Sequence, residues 1–144
     1  MGEYKWLVYA ILSAIAASFV GIFGKLGMSK LDSTLATGIR SIVMTLFLVA
    51  VVAAMGLWGK AREVTGWPLI SIILSGIAGA ISWLFYFKAI QLGKVSQVAP
   101  VDKLSMPFAV ILAVLILQER FAWFNWVGVG LVVGGAYLAS ISPK

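Results

Sequence analysis

Asp102 and Lys103 stand side by side in the first half of a stretch, 96–117, whose second half is almost pure Val, Ile, Leu and Ala. Two prolines, Pro100 and Pro107, bracket them. With Ser96 as the cap of a helix, the pair lies roughly 9–11 Å inside it, at about 1.5 Å per residue. A charge that deep in hydrocarbon costs roughly 2.5–3.5 kcal/mol on insertion scales, and persists where it faces a partner, a water-filled cavity or a cargo. Pro100 is expected in the first turn, where its missing N–H is harmless. Pro107 is interior; it crowds the Lys103 carbonyl and predicts a kink beside the charges. Bent helices at membrane depth, with freed backbone groups, are where transporters build binding sites.

The chemistry open to these residues is binding and proton exchange rather than catalysis. The chain has no Cys and no His, which removes thiol nucleophiles, imidazole bases and the commonest metal ligands. A Ser–Lys dyad of Lys103 with Ser105 or Ser96 is disfavoured; for Ser105 the two-residue spacing sets helical side chains about 200° apart. No Gly-rich nucleotide loop is present, so neither cofactor nor metal is expected, and the chain is not read as an enzyme. Asp102 is the candidate proton carrier, since a carboxylate in a low-dielectric cavity takes up a proton more readily than one in water. Two cargo schemes follow. Lys103 and Arg40 could hold an anionic group, or Asp102 with Trp83 and Tyr86 could hold a cation by charge and cation–π attraction. Bases outnumber acids in the spans, which favours the first. A third reading makes Asp102 and Lys103 a buried ion pair that fixes packing. Glu119 beside Arg120 reads as an interfacial carboxylate at a helix end, and Glu63 with Arg62 as a solvated loop.

The elements that must position these groups are membrane helices. Of 144 residues, 62% are hydrophobic and 11% charged, about half the charged share of a soluble domain. Helices of about 20 residues span a bilayer, and the pattern predicts five of them: 4–23, 34–57, 69–90, 96–117 and 122–141. The fold class expected is therefore all-α, a polytopic bundle forming a single domain over 1–144. The first span reads as a permanent helix ended by Gly24, Lys25 and Gly27, with Lys25 snorkelling to the headgroups. Asp32 or Ser33 caps the second, in which Arg40 either snorkels or points inward. Pro68 suits the first turn of the third, whose later half holds the aromatic run Trp83-Leu-Phe-Tyr-Phe, read first as an interface belt plus core and second as a cargo surface. In the fifth span Gly130 and Gly134 form a Gly-x-x-x-Gly face for packing within the chain or in a dimer interface.

An ordered set of motifs resembles the EamA module of the drug/metabolite transporter superfamily. The set comprises Trp83-Leu-Phe-Tyr-Phe-Lys-Ala-Ile-Gln-Leu-Gly-Lys-Val-Ser-Gln-Val-Ala-Pro, then Pro107, then Leu117-Gln-Glu119-Arg, then Asn125-Trp-Val-Gly128 and the glycines beyond it. The resemblance implies five helices per module, and two modules as inverted repeats around a central cargo cavity in most members. This chain carries one. The function so implied is secondary transport, as an exporter, of a small polar or amphipathic metabolite by alternating access, with a homodimer supplying the second module. The bilayer is then its surroundings, the cell (inner) membrane its location, and a small molecule its substrate. The rival is a non-transporting membrane subunit or scaffold in which the intramembrane charges are structural.

Charge distribution bears on how two copies would pair. The 11 basic residues are scattered singly, so the net charge of +6 speaks of membrane orientation and not of nucleic acid. With five spans, and with Arg40 and Lys103 left out as intramembrane, Lys5, Lys60, Arg62 and Arg120 fall on the side of the N-terminus, and Lys25, Lys30, Lys88, Lys94 and Lys144 on the other. Four against five gives almost no orienting excess. The chain is therefore expected to insert both ways round, and an antiparallel homodimer would reproduce the inverted repeat. C-terminal reporter fusions should be active on both sides of the membrane; activity on one side alone would contradict dual insertion.

Overall fold

The computed structural model describes residues 4–141; Lys144, counted above among the bases, lies outside them. Among the described residues the regular structure is helical: α1 (Lys5–Gly27), α2 (Ser33–Ala54), α3 (Trp58–Ala61), α4 (Trp67–Leu92), α5 (Val95–Asp102), α6 (Ser105–Ile116) and α7 (Trp123–Ser140). Five stretches are long and apolar enough to cross a membrane: α1, α2, α4, the run Val95–Ile116 and α7. The all-α, five-span architecture expected from composition is thus present. The fourth span is two helices end to end, and the short α3 in the loop after α2 was not foreseen.

Local chemistry explains the helix ends. Asp32 caps α2, its carboxylate accepting from the Thr34 N–H at 2.8 Å and the Leu35 N–H at 3.4 Å. The Thr34 hydrogen bond is the main reason its carboxyl sits below the ordinary value of 3.8. A carboxyl held low contributes its stability fully above that ordinary value and loses it as the pH falls through the lower folded one. At the far end of α2, Gly56 adopts a left-handed φ of 65°. The Gly56 N–H then reaches the Ala53 carbonyl at 3.0 Å and the Leu57 N–H the Val52 carbonyl at 3.1 Å, a Schellman motif. This stops α2 at Ala54, short of the expected Leu57. The turn after α6 is made by a non-glycine residue in the same region, Gln118 at φ 54°.

The chain divides into two compact units, each with its own interior. In Phe23–Gln91 the buried residues are Met28, Ser33, Thr37, Phe87 and Ile90, the last two 2% and 0% exposed. Gly24 does not end α1, which runs on to Gly27. A Cβ at Gly24 would lie 3.0 Å from Phe87 Cε1 and 3.4 Å from Ile90 Cδ1, so glycine here permits close approach of α1 to α4. Lys25 does not simply reach for headgroups: its Nζ donates to the Ile90 carbonyl at 2.6 Å and to that of Gln91 at 3.4 Å, satisfying groups left open at the end of α4. Gln91 Nε2 donates in turn to the Leu31 carbonyl at 2.9 Å.

In the other unit, residues 4–22 with 92–141, α5 and α6 pack against α7. Gly21, Pro107, Val129 and Ala136 are its buried residues. Gln97 Nε2 reaches the Ser140 carbonyl at 3.5 Å, tying the start of α5 to the end of α7.

Replacing Gly24 by leucine should overpack the contact with Phe87 and cost about 1–3 kcal/mol. Thermal unfolding in detergent would show a clearly lowered midpoint. Gly27→Leu, where a Cβ would meet nothing within 4 Å, should change it little; equal effects would refute the packing role assigned to Gly24.

Candidate functional site

Arg40 is the eighth residue of α2, roughly 10 Å from its start at about 1.5 Å per residue. Its guanidinium lies against aromatic rings of α4. The Cζ atom lies 3.7 Å from the centroid of the Trp83 ring and 5.5 Å from that of Phe87. Cation–π attraction strengthens where water is thinned, to about 2 kcal/mol or more when the cation is desolvated, and Arg40 is half-buried.

Trp83, Tyr86 and Phe87 share one face of α4 through their i, i+3, i+4 spacing. Their ring centroids are 5.6 Å apart for Trp83–Tyr86, 5.7 Å for Trp83–Phe87 and 6.0 Å for Tyr86–Phe87, with steep interplanar angles that suit edge-to-face contact. Phe87, wedged on Gly24, is the buried anchor of the set. The order of dependence is therefore Gly24, Phe87, Trp83, Arg40. Among the described residues no hydrogen bond or ion pair engages the Arg40 guanidinium. Stacking holds its plane while its N–H edges stay available, the arrangement that suits bidentate recognition of a carboxylate or phosphate.

The same helix carries a feature the sequence reading passed over. The hydroxyls of Thr37, Ser41 and Thr45 each donate to the carbonyl four residues back, at 2.7, 2.8 and 2.9 Å. The i+4 recurrence from Ser33 was visible in the sequence and marks a polar stripe beside Arg40. Each hydroxyl oxygen keeps acceptor capacity after donating. Phe87 was likewise missed as a site residue, because its role depends on Gly24.

Asp102 and Lys103 belong to the other unit. Ser96 is not the cap of α5: Lys94 takes that position, with extended backbone and no side-chain cap, and the helix starts at Val95. Pro100 consequently sits inside α5 and not in its first turn. The expected kink is a full interruption at Lys103–Leu104, four residues before Pro107. Pro107 has no N–H to give the Lys103 carbonyl, which accepts from the Met106 N–H at 3.1 Å instead; Lys103 and Leu104 donate to Pro100 and Val101 at 3.1 and 3.0 Å. The tight i→i+3 pattern is what a helix adopts when the i→i+4 partner is missing. Because α5 stops at Asp102, the two side chains need not diverge as on a continuous helix, and Lys103 Nζ comes 3.5 Å from Asp102 Oδ2. The pair is not buried within the chain: the side chains are 64% and 36% exposed, respectively. Gly130 and Gly134 face open space, with nothing within 4 Å of a Cβ built on either.

The structure therefore brings together Arg40, Trp83 and Tyr86, and separately Asp102 and Lys103. No group of three or more acidic, His or Cys side chains that could hold a metal occurs among the described residues.

Residues 4–141 match the model of the EamA-like transporter family. The chain belongs to that family. The EamA-like chain is also 40% identical over 137 residues to a protein of a Sinorhizobium species named "Uncharacterized transporter in cobO 3′ region", a match covering 95% of this chain and 97% of that one. A relative of single-module length therefore exists. No solved structure matches. Membership establishes an integral, multi-pass membrane protein of a transporter family, and points away from an enzyme.

A double-mutant cycle tests the stacking. Arg40→Met and Trp83→Leu should be coupled by about 0.5–2 kcal/mol in detergent unfolding; strictly additive losses would show that the contact does not hold the guanidinium.

Proposed function

We propose that this EamA-like chain is half of a secondary transporter, completed by a second copy, that moves a small polar or amphipathic metabolite carrying an anionic group. The observation that carries the reading is Arg40: a guanidinium inside a spanning helix, stacked on Trp83, with no hydrogen-bond or ion-pair partner among the described residues. Of the two cargo schemes, this favours the anionic one, since a face of Trp83 already holds a cation of the chain itself.

A second copy is part of the proposal because a cavity between inverted repeats needs two modules. One five-helix module makes one side of an inverted repeat, and the relative of matching length is in the same position. The near-balance of basic residues supports an antiparallel homodimer in the inner membrane. Alternating access would expose the Arg40 site to each side in turn. Asp102, at the interruption of the fourth span and in reach of Lys103, is the group that would couple transport to protons. The direction assigned is export.

The test is counterflow in liposomes containing the purified protein, across organic anions, amino acids and cationic drugs, with and without a pH gradient. Anion counterflow should fall at least tenfold in Arg40→Gln, about 1.4 kcal/mol of lost interaction, with Arg40→Lys recovering part of it. Asp102→Asn should keep counterflow but lose stimulation by the pH gradient. Cation flux that survives Arg40→Gln would reject the anionic assignment. No flux of any class, together with a co-purifying hetero-partner, would favour the scaffold reading.

A further inference from the structure

A groove of about 250 Å³ runs along α6 in the unit formed by residues 4–22 and 92–141. Its floor is Met106, Ala109, Val110, Ala113 and Val114. These recur at i, i+3, i+4, i+7 and i+8, one stripe of a helix. The two alanines, four apart, leave the hollow between larger neighbours. Glu119 and Phe121, from the connection between α6 and α7, close one end. Glu119 is the sole charged residue among those lining the groove.

Glu119 is set there by the backbone. Gln118 holds a left-handed φ of 54°, a region that favours glycine or asparagine. That turn folds the chain back so that the Glu119 N–H points at the Ala113 carbonyl at 3.4 Å, in the groove floor. The strain is retained where a glycine would have removed it, and its consequence is the placement of a carboxylate at the mouth of an apolar channel.

Depth decides between kinds of occupant. The connection holding Glu119 lies between the last residue of α6 and Trp123 at the start of α7, with Trp126 a turn later, the aromatic pattern of a membrane–water interface. From there the groove descends along α6 to Met106, about 15 Å at 1.5 Å per residue. One end is charged and interfacial, the other apolar and inside the hydrocarbon. A water-soluble metabolite does not have that shape; a lipid does. We propose that this groove is a phospholipid site selective for a primary-amine headgroup, an acyl chain lying on Ala109 and Ala113 and the ammonium on Glu119. Arg120, the next residue, supplies the charge that complements the lipid phosphate. A primary ammonium offers three N–H donors to the carboxylate, whereas a choline headgroup offers none. The inference is independent of the Arg40 site and of any transported cargo.

The experiment is native mass spectrometry of the full chain, purified in mild detergent and mixed with equimolar phosphatidylethanolamine, phosphatidylcholine and phosphatidylglycerol. Phosphatidylethanolamine should be retained roughly fivefold over each of the others, the scale of one interfacial charge contact. Glu119→Gln should abolish that preference and leave total lipid retention in place, whereas Glu63→Gln, in the loop before α4, should leave the preference intact. Ala113→Leu, which fills the groove, should lower retention of all three lipids. A preference that survives Glu119→Gln, or no retained lipid at all, would overturn the assignment. So would efficient disulfide linkage of two copies through Val110→Cys in this otherwise cysteine-free chain, which would give the groove to a second protein copy.

Discussion

A guanidinium in a membrane-spanning helix must find something better than hydrocarbon, and here it finds the face of an indole. Arg40 over Trp83, 3.7 Å from the ring centroid, is the contact on which the site rests. It stabilises the cation without neutralising it, because a quadrupole attracts charge but donates none. An acidic partner would have closed the site with an internal ion pair. The stacked arrangement leaves the positive charge available to an oxyanion. The chain that positions it is long: Gly24 admits Phe87, Phe87 packs on Trp83, and Lys25 and Gln91 bind the ends of α1, α2 and α4 through backbone carbonyls.

The second charged place is governed by a different constraint. Every backbone group in a bilayer has to be satisfied within the protein or by water lining a cavity. Pro107 denies the Lys103 carbonyl its usual donor, and the chain answers by shortening its hydrogen bonds to i→i+3 over a few residues. The result is a break bearing an aspartate and a lysine that are exposed on the isolated chain. Such exposure is costly where it meets hydrocarbon, and Gly130 and Gly134 likewise face open space. The two charged places lie in different compact units.

The apolar remainder follows from its solvent. Few large side chains are buried inside the chain, while Leu, Ile, Val and Phe are exposed along every span, the reverse of a soluble core. Helix ends carry much of the specific structure: the Asp32 cap, the Schellman turn at Gly56 and the left-handed Gln118 each set where a span stops and where its flanking polar groups emerge.

Composition and hydrophobic run length determined the class and the number of spans, because a bilayer demands about 20 apolar residues per crossing whatever the packing; the family was legible only as a resemblance carried by the ordered motifs of 83–135. Single residues with strong local chemistry were legible too: Asp32 as a cap, Pro68 at a helix start, and Pro107 as a source of irregularity. The sequence also marked Arg40, Trp83 and Tyr86 as candidates, but placed Arg40 with Lys103 in one cargo scheme and Trp83 and Tyr86 with Asp102 in the other, and never Arg40 on Trp83. Which ring Arg40 meets depends on how α2 and α4 pack, and 43 positions of separation carry no such information in one sequence. The same holds for Gly24 and Lys25, read as a helix end and a snorkelling base, when their partners Phe87 and Ile90 lie more than 60 residues away. Tertiary structure alone decided these pairings, since each depends on a close approach between helices that no local preference dictates.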